Sequence, residues 1–443
     1  RTDLKLNELE RYEYQVKLNP NLIPSAYATI THRMGWQAMQ QGDNEYQAIQ
    51  NIHKIVNTPG TISVGYNTLG FDDEFLRFNF YRNLLPPYTH QYANQCGRMD
   101  ILPIAVLFYL YQPDIIQWPT INGNISLKLE ALNECNQWVS GMSHNAMVDV
   151  DATLELARAL YQSSDMWQYV VGFFDKATDL SRINQLTPGI ATSSQHHPHA
   201  LLTNLRCGYA NNFQLPVLGL GQHRHYKNQT LWLQLDDKEL TNSTVDNFIE
   251  TTRVVRKKVA EPPLLLPTKE RFMNRLEQQR RDIMTENLQW LEQHQEVLQA
   301  ITQHYLDDTY PIVENIDADA ALYQIGFPSR EEEKLFGQFH RASVEKKWAI
   351  AQRFPNPIRQ QQALRILGRH FGDSIPTELL EEYQAQLNNT ATDYRNTSPY
   401  TVEKAREDIA ELRQKTLDDE QTELLREFEQ SLAALDKETL TSE

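Results

Sequence analysis

GYNTLGFDDEFLRFNFYRN, Gly65 to Asn83, is the stretch on which the fold of this chain turns. It begins as the end of a β-rich run, TISVGY from Thr61 to Tyr66, that starts just after Pro59-Gly60. β-branched residues favour a strand, and the Pro-Gly pair sets its boundary. Asp72 and Asp73 then open a helix that the pattern carries to Leu84, with acids in the first turn where the helix dipole favours them. Strand, short loop and helix make an α/β unit, and the same alternation continues outward. Upstream, Tyr12, Tyr14, Val16 and Leu18 recur with period two and predict a strand, while Asp43 opens a helix with Tyr46, Ile49, Ile52 and Ile55 on one face. Downstream, Asn145 to Leu160 predicts another helix.

From about Ser163 to Leu266 the pattern weakens into short apolar runs, with SSQHHPHALL around His196, His197 and His199 and a predicted strand, TLWLQL, at Thr230 to Leu235. This reads as a small, mostly β domain with long loops, closed by Pro262-Pro263 and Pro267. After Thr268 the chain reads as helical, with breaks at Pro311, Pro328, Pro355 and Pro376. Glu403 to Phe428 has acid/base neighbours at helical spacing and predicts an amphipathic packing helix. No fixed-period repeat is present, so a solenoid is not expected.

The 443 residues suffice for about three domains, each able to bury a core. The longest nearly unbroken apolar run, Ile101 to Tyr111, falls far short of the ~20 residues a spanning helix needs, which argues against a membrane protein. Three cysteines, Cys96, Cys135 and Cys207, form no C-x-x-C, so buried thiols in a reducing compartment are expected and a thiolate zinc site is not. The histidines at 196, 197, 199, 223 and 225 share their spacing with no Cys or acidic ligand, and zinc is not expected there either. With 42 Lys plus Arg against 58 Asp plus Glu, the net charge of −16 disfavours nucleic acid as a whole-surface partner. The charge is uneven, however: Arg253 to Arg281 holds nine basic and three acidic residues, Val402 to Glu443 thirteen acidic and six basic. The basic run suits either a solvated helix face or a groove for a polyanion.

The residues with chemical potential lie in the first part. An Asp at a helix start more often caps than catalyses, but a second segment, SHNAMVDVDATLELARAL, adds His144 just before a helix and Asp149 five residues on. Five helical steps turn about 140°, so the two share a site only if His144 sits in the preceding loop. Asp151 reads as a solvated helix residue.

These motifs, GYN…FDDE…R..FYRN, R-x-D at Arg98 and Asp100, Trp118-Pro119, LEAL at Leu129 to Leu132, H-x-A-x-x-D at His144 to Asp149, and NIDADAALYQIGFPS from Asn315 to Ser329, together resemble bacterial exodeoxyribonuclease I. That family is a member of the DEDD exonucleases of the H-x-x-x-x-D type. The resemblance implies an α/β + β + α multidomain architecture: a ribonuclease-H-like exonuclease domain over 1–163, a small SH3-like β-barrel domain with a helical extension over 164–310, and a helical C-terminal domain over 311–443. It implies a cytoplasmic, monomeric enzyme of DNA repair and recombination that degrades single-stranded DNA from the 3′ end. Two Mg²⁺ ions would be its cofactors, Asp72 and Asp149 metal ligands and His144 the general base, with Asp73 the competitor for the Asp72 role. Arg77, Tyr88, Tyr92 and Lys128 would touch DNA, whereas a basic position of the family falls on Val106 here. Single-stranded-DNA-binding protein would be a partner.

One departure matters. The family takes two further carboxylates from a D-x-E motif on the first strand of the nuclease domain, and the only D-x-E before Asp72 here, Asp43-Asn44-Glu45, reads as a helix start. The chain opens on Arg1 with no basic region and apolar core behind it, so no secretory signal is expected and the start reads as cut within the nuclease domain. The expectation is an inactive fragment of an active enzyme. The rival readings are a catalytically inactive single-strand-binding protein and an exonuclease acting on RNA.

Overall fold

The computed structural model describes residues 1–443 apart from Pro20, 141–145, 192–195, 388–390 and 442–443, with side chains in the last helix up to Leu435. Thr61 to Tyr66 yields strand β1 (Ile62–Gly65), which pairs in parallel with β2 (Gly97–Asp100), Gly65 standing opposite Asp100. A parallel pair needs a crossover, and the helix Asp72–Arg82 with the short helix Thr89–Tyr92 supplies it. From Asp100 the chain enters Ile101–Tyr111, whose nine buried residues out of eleven make it the hub of the first part of the chain. A helix so enclosed has no polar face, which is why its sequence reads as an unbroken apolar run. Leu156, Ala157 and Leu160 of the helix Ala146–Tyr161 pack in the same core as Ile104, Ala105 and Phe108.

The strand predicted at Tyr12 to Leu18 is not formed. Its alternation is genuine, but Tyr12 and Val16 are exposed, and the segment finds only a single bridge, Val16 to Asp43, through Lys17 N–H to Asp43 O (2.8 Å) and Asp43 N–H to Gln15 O (2.9 Å). That bridge occupies the backbone of Asp43. The next helix, Glu45–Val56, is capped by Asn44, whose side chain accepts the Gln47 N–H at 2.9 Å. Glu45 is no exposed first-turn acid either. It is buried, taking Arg82 in two bonds of 2.7 Å and Asn83 at 2.8 Å.

The middle of the chain opens with two helices that the weak pattern hid, Ser164–Val171 and Lys176–Asn184. At eight and nine residues they are too short for periodicity to declare itself. A short hairpin of β3 (Thr120–Ile121) and β4 (Asn124–Ile125) precedes these helices, and an antiparallel sheet follows them: β5 (Pro188–Ala191), β6 (His196–Thr203), β7 (Gln214–Gln222), β8 (Gln229–Gln234), β9 (Val254–Lys258) and β10 (Leu264–Pro267), in the order β10-β6-β7-β8-β9 with β5 beside β6. His196, His197 and His199 lie on β6, and His223 and His225 follow β7. His197 bonds Gly219 O at 2.8 Å, His199 is held neutral by burial, its pKa pushed down to about 4, and His223 meets Asp308 O at 2.9 Å.

The basic run from Arg253 is not one helix face. It begins on β9, and five of its nine charges are spent in ion pairs: Lys257 on Asp179, Arg256 on Asp308, Lys258 on Glu261, Arg280 on Asp236 and Arg281 on Glu270. After Pro267 the described residues contain helices and one isolated bridge, Ile316 to Thr392. The predicted helix over Glu403 to Phe428 is two, Val402–Leu412 and Asp419–Thr441. Ala26, Ile30 and Trp36 from the start of the chain share a core with Ile409, Leu425, Phe428 and Leu432 of this pair.

Tyr46 from the first part of the chain reaches into the helical part, where Phe339, Phe354, Leu364 and Leu367 form a core. Its hydroxyl meets His340 Nδ1 at 2.8 Å, while His340 Nε2 lies 3.1 Å from Leu84 O. A neutral ring serves both partners, donating to the carbonyl and accepting from the phenol. Burial pushes His340 and His370 down to about 4. The unfolded chain therefore binds protons that the folded one refuses between pH 6.5 and about 4, and stability present above pH 6.5 is lost as the pH falls through that window. Each of the two contributes roughly 3 kcal/mol of this loss. Urea unfolding from pH 7.5 to 4.5 should show it, and His370→Leu should flatten the profile; an equal slope in that variant would place the pH dependence elsewhere.

Candidate active site

The C-terminal ends of β1 and β2 meet at Gly65 and Asp100, and the site is built around them. A Cβ on Gly65 would lie 2.8 Å from the Thr68 Cβ, so the tight exit from β1 requires glycine. Asn67 then takes φ 60°, a short turn spans Thr68–Gly70, and Asp72 begins its helix. The loop is held by Asp100. Its carboxylate, buried at the end of β2, accepts the N–H of Asn67 (2.8 Å), Leu69 (3.2 Å) and Leu102 (3.0 Å). Burial pushes this carboxyl up against the pull of those three amides, and nearby Asp72 adds to the rise.

The two aspartates of FDDE have different surroundings. Asp73 is buried and fully engaged, with His90 at 3.4 Å, Gln91 at 3.2 Å, Arg77 at 3.7 Å and a close contact from Arg98, which also grips Glu261. Burial works to raise its carboxyl, but the bond from His90 and the charges of Arg98 and Arg77 hold it below the ordinary range. Asp72 faces solvent at the first helical position. Partial desolvation raises its carboxyl, with Asp73 adding to the rise against its own amide and the Thr68 hydroxyl. Phe71 and Phe75 stack beside it, both exposed, their centroids 6.5 Å apart.

Asp149 lies half-buried in the first turn of Ala146–Tyr161. Asp151, expected to be solvated, instead takes Arg11 in bonds of 2.8 and 3.0 Å, pinning the first residues of the chain to this helix. His144 lies outside the described residues. In the segments Gly65 to Asn83 and Ser143 to Leu160, the other acids are paired: Asp73 with Arg77 and Arg98, Glu74 with Arg395, Asp151 with Arg11, Glu155 with Arg158. Among the described residues Asp72 and Asp149 are the two of these acids in no ion pair. Nor do the described residues contain a group of three or more His, Cys, Asp or Glu able to hold a metal ion. They fall short of a cage for two hard cations, which take several oxygen ligands each.

The four residues expected to touch DNA are placed unequally. Tyr92 is 69% exposed, and the Lys128 side chain 72% exposed, 3.8 Å from Glu130. Tyr88 is half-buried with the Arg77 guanidinium over its ring at 5.7 Å, and Arg77 itself is buried against Asp73. Val106 is wholly enclosed in the hub helix. The sequence reading missed the clamp made by Asp100 and the chain from His90 through Asp73 and Arg98 to Glu261. The signal for the first was present, since Asp100 ends a strand and precedes an apolar helix.

The family profile for the Exonuclease I C-terminal domain matches residues 316–435. Exodeoxyribonuclease I of Buchnera aphidicola subsp. Acyrthosiphon pisum is 37% identical over 161 residues, 36% of this chain and 39% of that protein. The same-named protein of Escherichia coli K12 is 33% identical over 161 residues, 36% of this chain and 34% of that protein. Among solved structures, E. coli exonuclease I in complex with a 5cy-dT13 oligonucleotide superimposes with a TM-score of 0.83 at 20% identity, covering 98% of this chain and 93% of that one. A moderately thermophilic exonuclease I from Methylocaldum szegediense gives 0.82 at 21% identity, over 98% and 93%. The aligned sequence thus spans about two fifths of the curated relatives' length, while the fold agrees over nearly the whole chain.

Proposed function

We propose that this exonuclease I-like chain acts on single-stranded DNA, removing nucleotides from the 3′ end by metal-assisted phosphodiester hydrolysis, as a cytoplasmic, monomeric enzyme of repair and recombination. The observation that carries this reading is the pair of carboxylates that join no ion pair among the described residues while the other acids of the two motifs are paired: Asp72 and Asp149, each in the first turn of a helix. Two Mg²⁺ ions are the cofactors it needs, with Asp72 and Asp149 as ligands and His144 as the base. Because the described residues do not complete that ligand set, the reading requires the D-x-E pair as well.

The chain's own residues supply the grip on the strand. Tyr92 and Lys128 are exposed where a base and a phosphate can meet them, Lys128 with Glu130 at 3.8 Å, and the Tyr88 ring rests on Arg77, whose charge Asp73 already holds. In this reading Arg77 carries Tyr88 rather than touching phosphate. The oligonucleotide complexes of E. coli exonuclease I support DNA as the ligand, and an SSB/Exonuclease I structure supports single-stranded-DNA-binding protein as partner.

The test is digestion of 5′-end-labelled single-stranded DNA with Mg²⁺, comparing residues 1–443 with a form extended upstream through a D-x-E segment. Cleavage by the extended form alone is the expected result. Binding without cleavage by both would replace the enzyme with a strand-binding protein, and preferential cutting of RNA would change the substrate.

A further inference from the structure

We propose that Tyr394, in the helical part of the chain, is a positioning residue for the metal ligand Asp72, acting through Glu74. The proposal rests on the enzyme reading above and deepens it, by giving the helical part a role in the metal site. Asp72 opens its helix without a cap: Phe71, at φ −138° and ψ −71°, makes no side-chain bond to the first amides. Such an end frays unless tertiary contacts hold it, and a ligand on the first residue frays with it. Three acids in succession, Asp72, Asp73 and Glu74, fill that turn. Asp73 is held by Arg98, which also grips Glu261 beyond β9. Glu74 is held by the helical part. Its Oε1 accepts the Tyr394 hydroxyl in a close contact and Arg395 at 2.7 Å, and its Oε2 lies 3.4 Å from the Tyr323 hydroxyl. Burial and the Glu74 carboxylate push the Tyr394 phenol up to about 12, so it stays a donor.

The grip runs along one helix face, since Glu74, Phe78 and Tyr81 stand at i, i+4 and i+7. Phe78 stacks on Tyr394, with centroids 5.0 Å apart and planes at 15°, and meets Tyr323 edge-on at 5.4 Å. Tyr81 lies under the Arg359 guanidinium at 4.7 Å and packs with Ala321 and Leu322. The two rings hold the body of the helix; Glu74 is the member of this face nearest Asp72. Tyr394 is itself presented by a fixed turn. The Asp393 carboxylate accepts the N–H of Arg395 and of Thr397, each at 2.8 Å, and Thr392 bridges to Ile316, its carbonyl accepting the Asp317 N–H at 2.9 Å. The phenol therefore sets where Glu74 sits, and with it the first turn that carries Asp72. Mg²⁺ demands near-ideal octahedral geometry, so a ligand on a loosened turn binds it less well.

The test uses the form that carries the D-x-E pair and reads three quantities: the Mg²⁺ concentration for half-maximal digestion of 5′-labelled oligothymidylate, kcat and KM for that strand, and Mn²⁺ binding without DNA by electron paramagnetic resonance. Tyr394→Phe keeps the ring on Phe78 and removes only the hydroxyl. It should raise the half-saturating Mg²⁺ and Mn²⁺ concentrations about 10-fold, the low end of what losing a group behind a metal ligand does. KM for the strand and the thermal midpoint should stay at the wild-type values, and saturating Mg²⁺ should recover kcat. In a Glu74→Ala background the same substitution should change nothing further, because its route to Asp72 is already cut. Arg395→Met, which removes a side chain 63% exposed, should leave the metal requirement within about 2-fold. An unchanged metal requirement in Tyr394→Phe, or a loss confined to strand KM and thermal midpoint, would overturn the positioning role while leaving the enzyme reading intact. If the wild-type form cuts no strand, the enzyme reading falls, and this proposal with it.

Discussion

In a form of the enzyme that carries the D-x-E pair, Asp149→Ala is expected to abolish Mg²⁺-dependent digestion while strand binding in Ca²⁺ stays measurable. The loss should exceed the roughly 10- to 100-fold that removing a residue one step behind a metal ligand costs. What makes the substitution informative is that Asp149 does little for the fold. Its carboxylate joins no ion pair among the described residues, and the bond it does make, from the Thr153 hydroxyl at 2.8 Å, goes to its backbone carbonyl and survives the change. Its helix is held by Leu156, Ala157 and Leu160 in the core. Stability should fall only by the ~0.3–1 kcal/mol of a lost first-turn acid, offset in part by alanine's helix propensity. Neighbouring Asp151→Ala is the contrast: it frees Arg11 and loosens the start of the chain. Retained turnover in Asp149→Ala would remove that residue from the site.

Lys257→Met is expected to cost about 3–5 kcal/mol, a large share of what holds any one domain together. Lys257 and Asp179 are 0% and 1% exposed and lie 2.9 Å apart. The ammonium also donates to Lys258 O at 3.1 Å and Glu261 O at 2.9 Å, while Asp179 accepts the Ala260 N–H at 2.8 Å. Burial pulls the Lys257 pKa down and Asp179 pulls it back. Removing the lysine leaves a carboxylate in the interior with one amide for company. Removing both charges, in Lys257→Met with Asp179→Leu, should recover most of the loss, because an isolated buried charge costs more than a satisfied pair contributes. Urea midpoints of the three variants decide the matter. A double variant no better than the single would show that the pair's hydrogen bonds to residues 258–261, rather than charge burial, set the cost.

How much of this was legible beforehand depended on whether local chemistry and tertiary environment agreed. The β1 strand and the helix from Asp72 were readable because composition, boundary residues and first-turn acids all pointed one way. The apolar run at Ile101–Tyr111 was visible as such, and Val106 as an apolar residue inside it. Tyr12 to Leu18 failed because alternation describes a half-buried face, not the presence of a neighbour to pair with. The basic run failed for the complementary reason: Arg256, Lys257 and Arg280 meet acids at positions 308, 179 and 236, distances along the chain that no local pattern encodes. The same blindness covers the site. That Asp73 is spent on Arg98 and His90 while Asp72 stays free cannot be read from two adjacent identical residues.

The joining of the chain's beginning to its end sets a timetable. Trp36 packs on Phe428 with centroids 5.2 Å apart, Tyr27 bonds Glu411 at 2.8 Å, and Arg33 bonds Asp418, 385 residues later. A ribosome adding about 5 to 20 residues per second takes roughly 20 to 80 s to cross such a gap. During that interval Ala26, Ile30 and Trp36 have been made and their partners have not. Residues 26–36 therefore emerge as an apolar handle, available to whatever escorts unfinished proteins, and that handle is withdrawn only when residues 402–435 leave the tunnel.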